Sequence, residues 1–232
     1  MLRSMYRERP SRIGGSVVWH RDAGPAGIVR VLPDGCIDLI TSDAGRLFVA
    51  GPDTIAQLYD GEGEALDAIR FGPGVAPVLL GLPASELRDQ RVDLAAVWGD
   101  AAARDIADAL AGAADRLHAL ELLAQRRLLA APTPPDAALQ LVVRELRRGR
   151  RVADAADDVG LSARQLHRRS LAAFGYGAKT LARILRFQRA LARARADRPL
   201  ADVAAMTGYA DQAHLAREVR DLAGVPLTQL LR

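Results

Sequence analysis

Apolar and polar positions follow two different rhythms along this chain of 232 residues. Between residues 14 and 83 the apolar residues come in short β-branched runs cut by turn residues. Gly27–Leu32 and Cys36–Thr41 flank Pro33-Asp34-Gly35, Leu47–Ala50 ends at Gly51-Pro52-Asp53, Leu66–Phe71 ends at Gly72-Pro73-Gly74, and Val78–Leu80 ends at Gly81. Such runs predict five short strands and a small barrel or curled sheet. From residue 84 the spacing becomes helical. Asp93 and Asp100 stand where helix caps are expected, and Ile106, Leu110, Leu117, Leu120, Ala124 and Leu128 recur on one face. That stripe packs on its own domain in the simpler reading, and in the other also takes part in dimerisation.

Ala130-Ala131-Pro132-Thr133-Pro134-Pro135-Asp136 cannot continue a helix, so the domain boundary is expected there, dividing residues 1–131 from 132–232. Beyond it, Asp136–Arg148 reads as an amphipathic helix with Leu139, Val142, Val143 and Leu146 inward. A repeat follows. Val152–Ala156 with Gly160 matches Leu200–Ala204 with Gly208 at an offset of 48, while Leu166, Arg168 and Gly175 match Leu215, Arg217 and Gly224 at 49. Each copy predicts a short helix ending at a glycine, then a capping residue (Ser162, Asp211) opening a longer helix. Two helices in that arrangement form a helix–turn–helix, whose second helix can enter the DNA major groove. The outward face of that second helix carries Arg164, His167 and Arg168 in the first copy, and Ala213, His214 and Arg217 in the second. Arginine can make paired hydrogen bonds to guanine, and histidine can donate to base acceptors. Between the copies, Ala178–Ala196 reads as a rod of roughly 28 Å, comparable with the roughly 34 Å between successive major-groove openings. Its Arg183, Arg186, Arg189 and Arg193 are candidates for phosphate contacts.

Charge sharpens this division. Residues 1–131 set 14 arginines against 18 acids, a net −4, whereas residues 132–232 set 18 basic residues against 10 acids, a net +8. A basic half joined to an acidic one predicts that only the former meets a polyanion. The first residues have no apolar stretch of the signal-peptide kind and no run is long enough to span a membrane, so a cytoplasmic protein with no membrane partner is expected. A single cysteine, Cys36, excludes an internal disulfide framework, and His20, His118, His167 and His214 show no metal-ligand spacing. No phosphate-binding glycine loop follows a strand, and no nucleophile–base set is visible. The expectation is no enzyme, no metal and no cofactor. Asp38 is the one chemically odd residue. In a strand it shares a face with Cys36 and Ile40 while Ile37 and Leu39 face the other way, so its carboxylate is expected to be partly buried and to need a partner. That partner is Arg30 or Arg70 in one reading; in another, Asp38 anchors a ligand. Cys36, Asp38, Arg30 and Arg70 are therefore the candidate ligand-binding set.

Residues 136–232 resemble the DNA-binding domain of AraC-type (AraC/XylS) transcriptional regulators. The likeness rests on Gly160–Arg168, on Asp202-Val203-Ala204 with Gly208–Arg217, and on Gly224-Val225-Pro226. It implies two helix–turn–helix units joined by a long helix, reading bases with Arg164, His167 and Arg168, then Gln212, Ala213, His214 and Arg217. Ser162 and Arg183 complete the candidate DNA-binding set. Val219 and Asp221 depart from the family, which commonly has an aromatic and a basic residue there. The N-terminal half, through Leu32–Ile40 and Leu82–Leu87, is similar to a domain often fused to such regulators, which implies a cupin-like sensing domain. The expected fold is thus α+β, a small N-terminal β-barrel or cupin-like domain with flanking helices followed by an all-α domain.

The expected function is a sequence-specific, effector-responsive transcription regulator, with the effector shifting the two halves through the Pro132–Pro135 linker. Double-stranded DNA is the expected partner; a small-molecule effector, RNA polymerase and a second copy of the chain are further candidates. Two alternatives stay open at this point: a constitutive DNA-binding protein whose N-terminal half only dimerises, and a DNA-tethered catalytic domain using Cys36 or Asp38.

Overall fold

The structure, a computed structural model, describes residues 6–61, 63–196 and 198–231. Its N-terminal half holds strands β1 (Tyr6–Pro10), β2 (Val17–Arg21), β3 (Gly27–Val31), β4 (Ile37–Ser42), β5 (Leu47–Ala50), β6 (Gln57–Gly61), β7 (Leu66–Phe71) and β8 (Arg91–Asp93). Six of them make one antiparallel sheet in the order β1-β2-β7-β4-β5-β8, while β3 and β6 pair as a separate ribbon. The N-terminal half is β-rich as expected, but its sheet stays open: β1 and β8 form two free edges, and no barrel closes among the described residues.

Alternation along β4 explains how the sheet divides its surroundings. Ile37 and Leu39 join Val18, Val49, Ile69 and Phe71 under the helices α1 (Ala76–Leu80), α2 (Leu94–Trp98), α3 (Asp100–Ala111) and α4 (Arg116–Ala130). Of the expected helical stripe, Ile106, Leu110, Leu120 and Ala124 are buried in that same layer. Asp38 and Ile40 face the opposite side, where Trp19, Ala50 and Ala68 form a second apolar cluster. One expected strand is a helix. Val78–Leu80 belongs to α1, because Pro77 suits a first helical turn and Gly81, at φ +77°, provides a left-handed stop. A run of three apolar residues carries no period that distinguishes strand from helix.

Among the described residues the C-terminal half has helices and no strand: α5 (Ala137–Arg147), α6 (Val152–Asp157), α7 (Ala163–Phe174), α8 (Ala178–Ala194), α9 (Leu200–Thr207), α10 (Gln212–Ala223) and α11 (Leu227–Leu230). Asp136 caps α5 by accepting from the Ala138 and Leu139 N–H groups. The pairs α6/α7 and α9/α10 are the two helix–turn–helix units. Helix α8 is their common spine, with Leu181, Ile184, Phe187, Ala190 and Leu191 buried in one apolar cluster that runs from Leu139 to Leu227. At 1.5 Å per residue its 17 residues span about 25 Å.

The halves are joined by more than the linker. The Gln188 amide on α8 donates to the Pro33 carbonyl at 2.6 Å, and Gln140 on α5 donates to the Pro73 carbonyl at 3.0 Å. At the other unit, the Ala56 N–H donates to the Leu222 carbonyl and an Arg30 N–H to the Ala223 carbonyl, each at 2.7 Å. Two glycines allow this close approach. A Cβ on Gly35 (φ +84°) would lie 2.8 Å from Leu181 Cδ1, and one on Gly175 (φ +81°) 2.8 Å from Pro52 Cγ and 3.0 Å from the Ala84 carbonyl. Both need a backbone conformation that other residues adopt only with strain.

Candidate nucleic-acid interface and effector cavity

Each second helix is held at its start by a local cap. Ser162 accepts from the Gln165 N–H while the Gln165 side chain accepts from the Ser162 N–H, a complete capping box on α7. Asp211 accepts from the His214 N–H at 2.6 Å on α10. With Leu166 and Leu215 buried beneath, Arg164, His167 and Arg168 on α7 are exposed, as are Gln212, Ala213 and Arg217 on α10. Arg164, Arg168 and Arg217 have no ion-pair partner among the described residues. His214 is half-buried and doubly held: its Nδ1 accepts from the Ala210 N–H at 3.3 Å and its ring meets Tyr209 edge-on at 5.2 Å. In the neutral ring this leaves the proton on Nε2, as a donor. Seven of the candidate reading residues therefore sit on two capped helices carried by one spine.

The arginines on the spine behave differently. Arg183 pairs with Glu218 and Asp221, each at 3.3 Å, so the acid at 221 serves as its partner. Arg186 pairs with Glu218 at 2.7 Å and lies 4.5 Å over the Tyr209 ring. The Tyr209 hydroxyl also donates to Glu218, at 3.3 Å. Arg189 donates to the Leu146 and Arg147 carbonyls at the end of α5. These side chains bind the units to the spine. Glu218, only 8% exposed, is the centre of that network and escaped the sequence reading, whose only available signal was an acid on the apolar side of a basic helix.

A cavity of about 680 Å³ lies between the outer face of the sheet, the β3–β6 ribbon and α8. That volume is within the range of small-molecule sites. Cys36, Asp38, Arg30 and Arg70 all line it, and so do Gln188, Leu191 and the exposed Arg195 from the C-terminal half. Asp38 accepts from the Trp19 indole at 2.6 Å and pairs with Arg70 Nε at 3.2 Å; Arg70 also reaches Asp34 at 3.3 Å. Register dictates this choice, because β4 lies beside β7 with Asp38 opposite Arg70. Arg30 does not pair with Asp38: it sits on the separate ribbon opposite Leu58 and is engaged with Ala223. Burial raises the Asp38 carboxyl pKa against the pull of Arg70. Burial and the nearby Asp34 push the Cys36 thiol well up, which keeps it protonated and a poor nucleophile. The wall also contains Asp53, Tyr59 and Arg91, absent from the sequence candidates because Asp53 reads as a turn residue and Arg91 lies in a three-residue strand without alternation.

Two capped helix–turn–helix units on one spine define a DNA-binding domain. The model described as "Helix-turn-helix domain" matches residues 155–232, and the C-terminal part of the chain is an AraC-type helix-turn-helix domain, carried by DNA-binding transcription regulators. Residues 16–93 match a "Domain of unknown function (DUF6597)". No curated protein matches the sequence. Among solved structures the chain is similar to ToxT from Vibrio cholerae, at 10% identity over 98% of each chain with a TM-score of 0.48. It is also similar to Vibrio cholerae ToxT bound to (E)-4-(8-methylnaphthalen-1-yl)but-3-enoic acid, at 9% identity over 98% of each chain and 0.49. A third, unsaturated fatty acid bound ToxT from Vibrio cholerae, is 9% identical over 93% of this chain and 94% of its own, with a TM-score of 0.45. Among the described residues no helix is long and apolar enough to cross a membrane.

Proposed function

We propose that this chain is an effector-responsive transcription regulator that reads a specific DNA sequence with α7 and α10 and senses a small molecule in the cavity. Residues 132–232 are the reader in this proposal and residues 1–131 the sensor. Arg164, His167 and Arg168 read one major-groove turn; Gln212, Ala213, His214 and Arg217 read the next, with the exposed Ser162 hydroxyl beside the phosphates. The observation that carries the reading is α8. One side of this helix is the core of both units, while Gln188 and Leu191 on it form part of the cavity wall. An occupant of the cavity would therefore touch the element that sets the spacing of the two reading helices, a shorter route than the proline linker. It would bias DNA binding only through different affinities for the two arrangements.

The protein works in the cytoplasm under this proposal, where a second copy of the chain and RNA polymerase are its remaining partners. Selection of bound duplexes from a random library by the full chain tests the reader. A motif spanning two adjacent turns is expected, and Arg164→Ala should erase base preference at its position. Salt-sensitive binding without an enriched motif would refute base reading.

A further inference from the structure

Polar groups in the cavity wall are unevenly matched. Arg70 is satisfied by Asp34 and Asp38, Arg46 by Glu64, and Arg30 by the Ala223 carbonyl. Two buried polar atoms of the wall have no hydrogen-bond partner among the described residues: Asp53 Oδ1 and Arg91 Nη1. Asp53 is 6% exposed. Its loop is firmly held, since Thr54 donates both its N–H and its hydroxyl to Asp89, whose own N–H donates to the Pro52 carbonyl. Arg91 is positioned by strand pairing opposite Ala50 and lies 3.7 Å over the Tyr59 ring. A fixed acceptor and a fixed cationic donor thus share one wall, and neither orphan atom bonds the other. Native proteins seldom leave such groups unsatisfied, and those left open mark places where something else supplies the partner.

The charges decide which head group would fit. A cation would satisfy Asp53 but set its charge against Arg91. A carboxylate would satisfy Arg91 but face Asp53. A neutral group with a carbonyl oxygen beside an N–H serves both at once. Resting on the effector reading above, we propose that Asp53 and Arg91 form the polar end of the effector site, and that it takes a small molecule with a carboxamide or lactam head. The carbonyl accepts from Arg91 Nη1, the N–H donates to Asp53 Oδ1, and the apolar body lies along Trp19, Ile40 and Leu191.

Phenylacetamide, phenylacetate and 2-phenylethylammonium share one body and differ in the head, which makes them suitable probes. Each is titrated into the full chain at pH 8, where Asp53 is ionised, while the two tryptophan indole N–H resonances are followed by NMR. Trp19 lines the cavity, whereas Trp98 donates to the Leu80 carbonyl outside it and serves as the control. Phenylacetamide is expected to shift Trp19 and not Trp98, and to bind about tenfold more tightly than either ion. Arg91→Gln should abolish that advantage. Asp53→Asn removes the charge that repels an acid, so phenylacetate should then bind about tenfold better than to the native chain, a gain that misfolding cannot imitate. The proposal is overturned if no probe shifts Trp19, if the amide has no advantage, or if Asp53→Asn leaves phenylacetate binding unchanged. DNA affinity measured with and without bound amide separates the two ideas. Binding at Trp19 with unchanged DNA affinity retains this site and removes the effector reading.

Discussion

Asp53 offers a direct thermodynamic test, because a buried carboxyl without a partner should cost the native state stability in a pH-dependent way. Burial, with Asp89, Asp34 and Asp38 adding to it and Arg91 opposing, lifts its pKa from 3.8 to about 7. The folded chain then holds the proton more tightly than the unfolded chain, so stability falls as pH rises from about 4 to 7 and levels off above. At 1.36 kcal/mol for each tenfold change in proton affinity, the full interval corresponds to about 4 kcal/mol as an upper bound, with about 2.5 kcal/mol of it lost between pH 5 and 8. Asp53→Asn keeps the shape and removes the ionisation. Urea unfolding of both proteins at pH 5 and pH 8 should give a variant that is more stable than the native chain by a margin about 2.5 kcal/mol larger at the higher pH. Parallel pH profiles, or a variant less stable at pH 8, would refute the argument that Asp53 is an unsatisfied buried acid.

Other residues allow comparable tests. Glu218→Ala takes from Arg186 its carboxylate partner and leaves Arg183 with Asp221 alone, and should cost about 2 kcal/mol in urea unfolding, since the two arginines are only partly buried; a cost below about 0.5 kcal/mol would show that the network does not hold α10 to the spine. Arg164→Ala should weaken binding to the selected duplex by about 1–3 kcal/mol with little loss on random DNA, as read by fluorescence anisotropy, and an equal loss on both would mean that Arg164 contacts phosphate. Cys36, its thiol held protonated by burial, should react with iodoacetamide at pH 8 at least about tenfold more slowly than glutathione, and reaction at the free-thiol rate would contradict its placement.

Much of the reader was legible because its signals are local. The Asp136 cap, the glycines at 160, 175, 208 and 224, and the Leu166/Leu215 spacing all act within a turn or two of chain. The two faces of β4 were legible for the same reason, strand alternation being a property of consecutive residues. What escaped depends on which elements meet. The register that gives Asp38 to Arg70 rather than Arg30 follows from β4 lying beside β7 while β3 pairs with β6, and no local pattern announces that order. Strands β1 and β6 carry charged or mixed residues at an edge and on a ribbon, so neither has an apolar period to detect. Asp53 and Arg91 come from a turn and a short edge strand 38 positions apart in the chain, and only the folded sheet brings both to the cavity.

The hydrogen bonds from Ala56 and Arg30 to Leu222 and Ala223 reach the last turn of α10, where backbone carbonyls have no partner within their own helix. The N-terminal half thus supplies the missing donors, and the Arg30 guanidinium sits at the negative end of the helix dipole. Excising residues 132–232, the reader on the proposed function, therefore removes two donors from the end of α10. Cut free at the linker, both units would keep their left-handed glycine stops, Gly175 and Gly224, but the second would lose the two donors that had been finishing its last turn. Footprints obtained with the excised half would then be strong over one major-groove turn and faint over the other, and the lost half-site would wrongly be assigned to weak bases in the DNA.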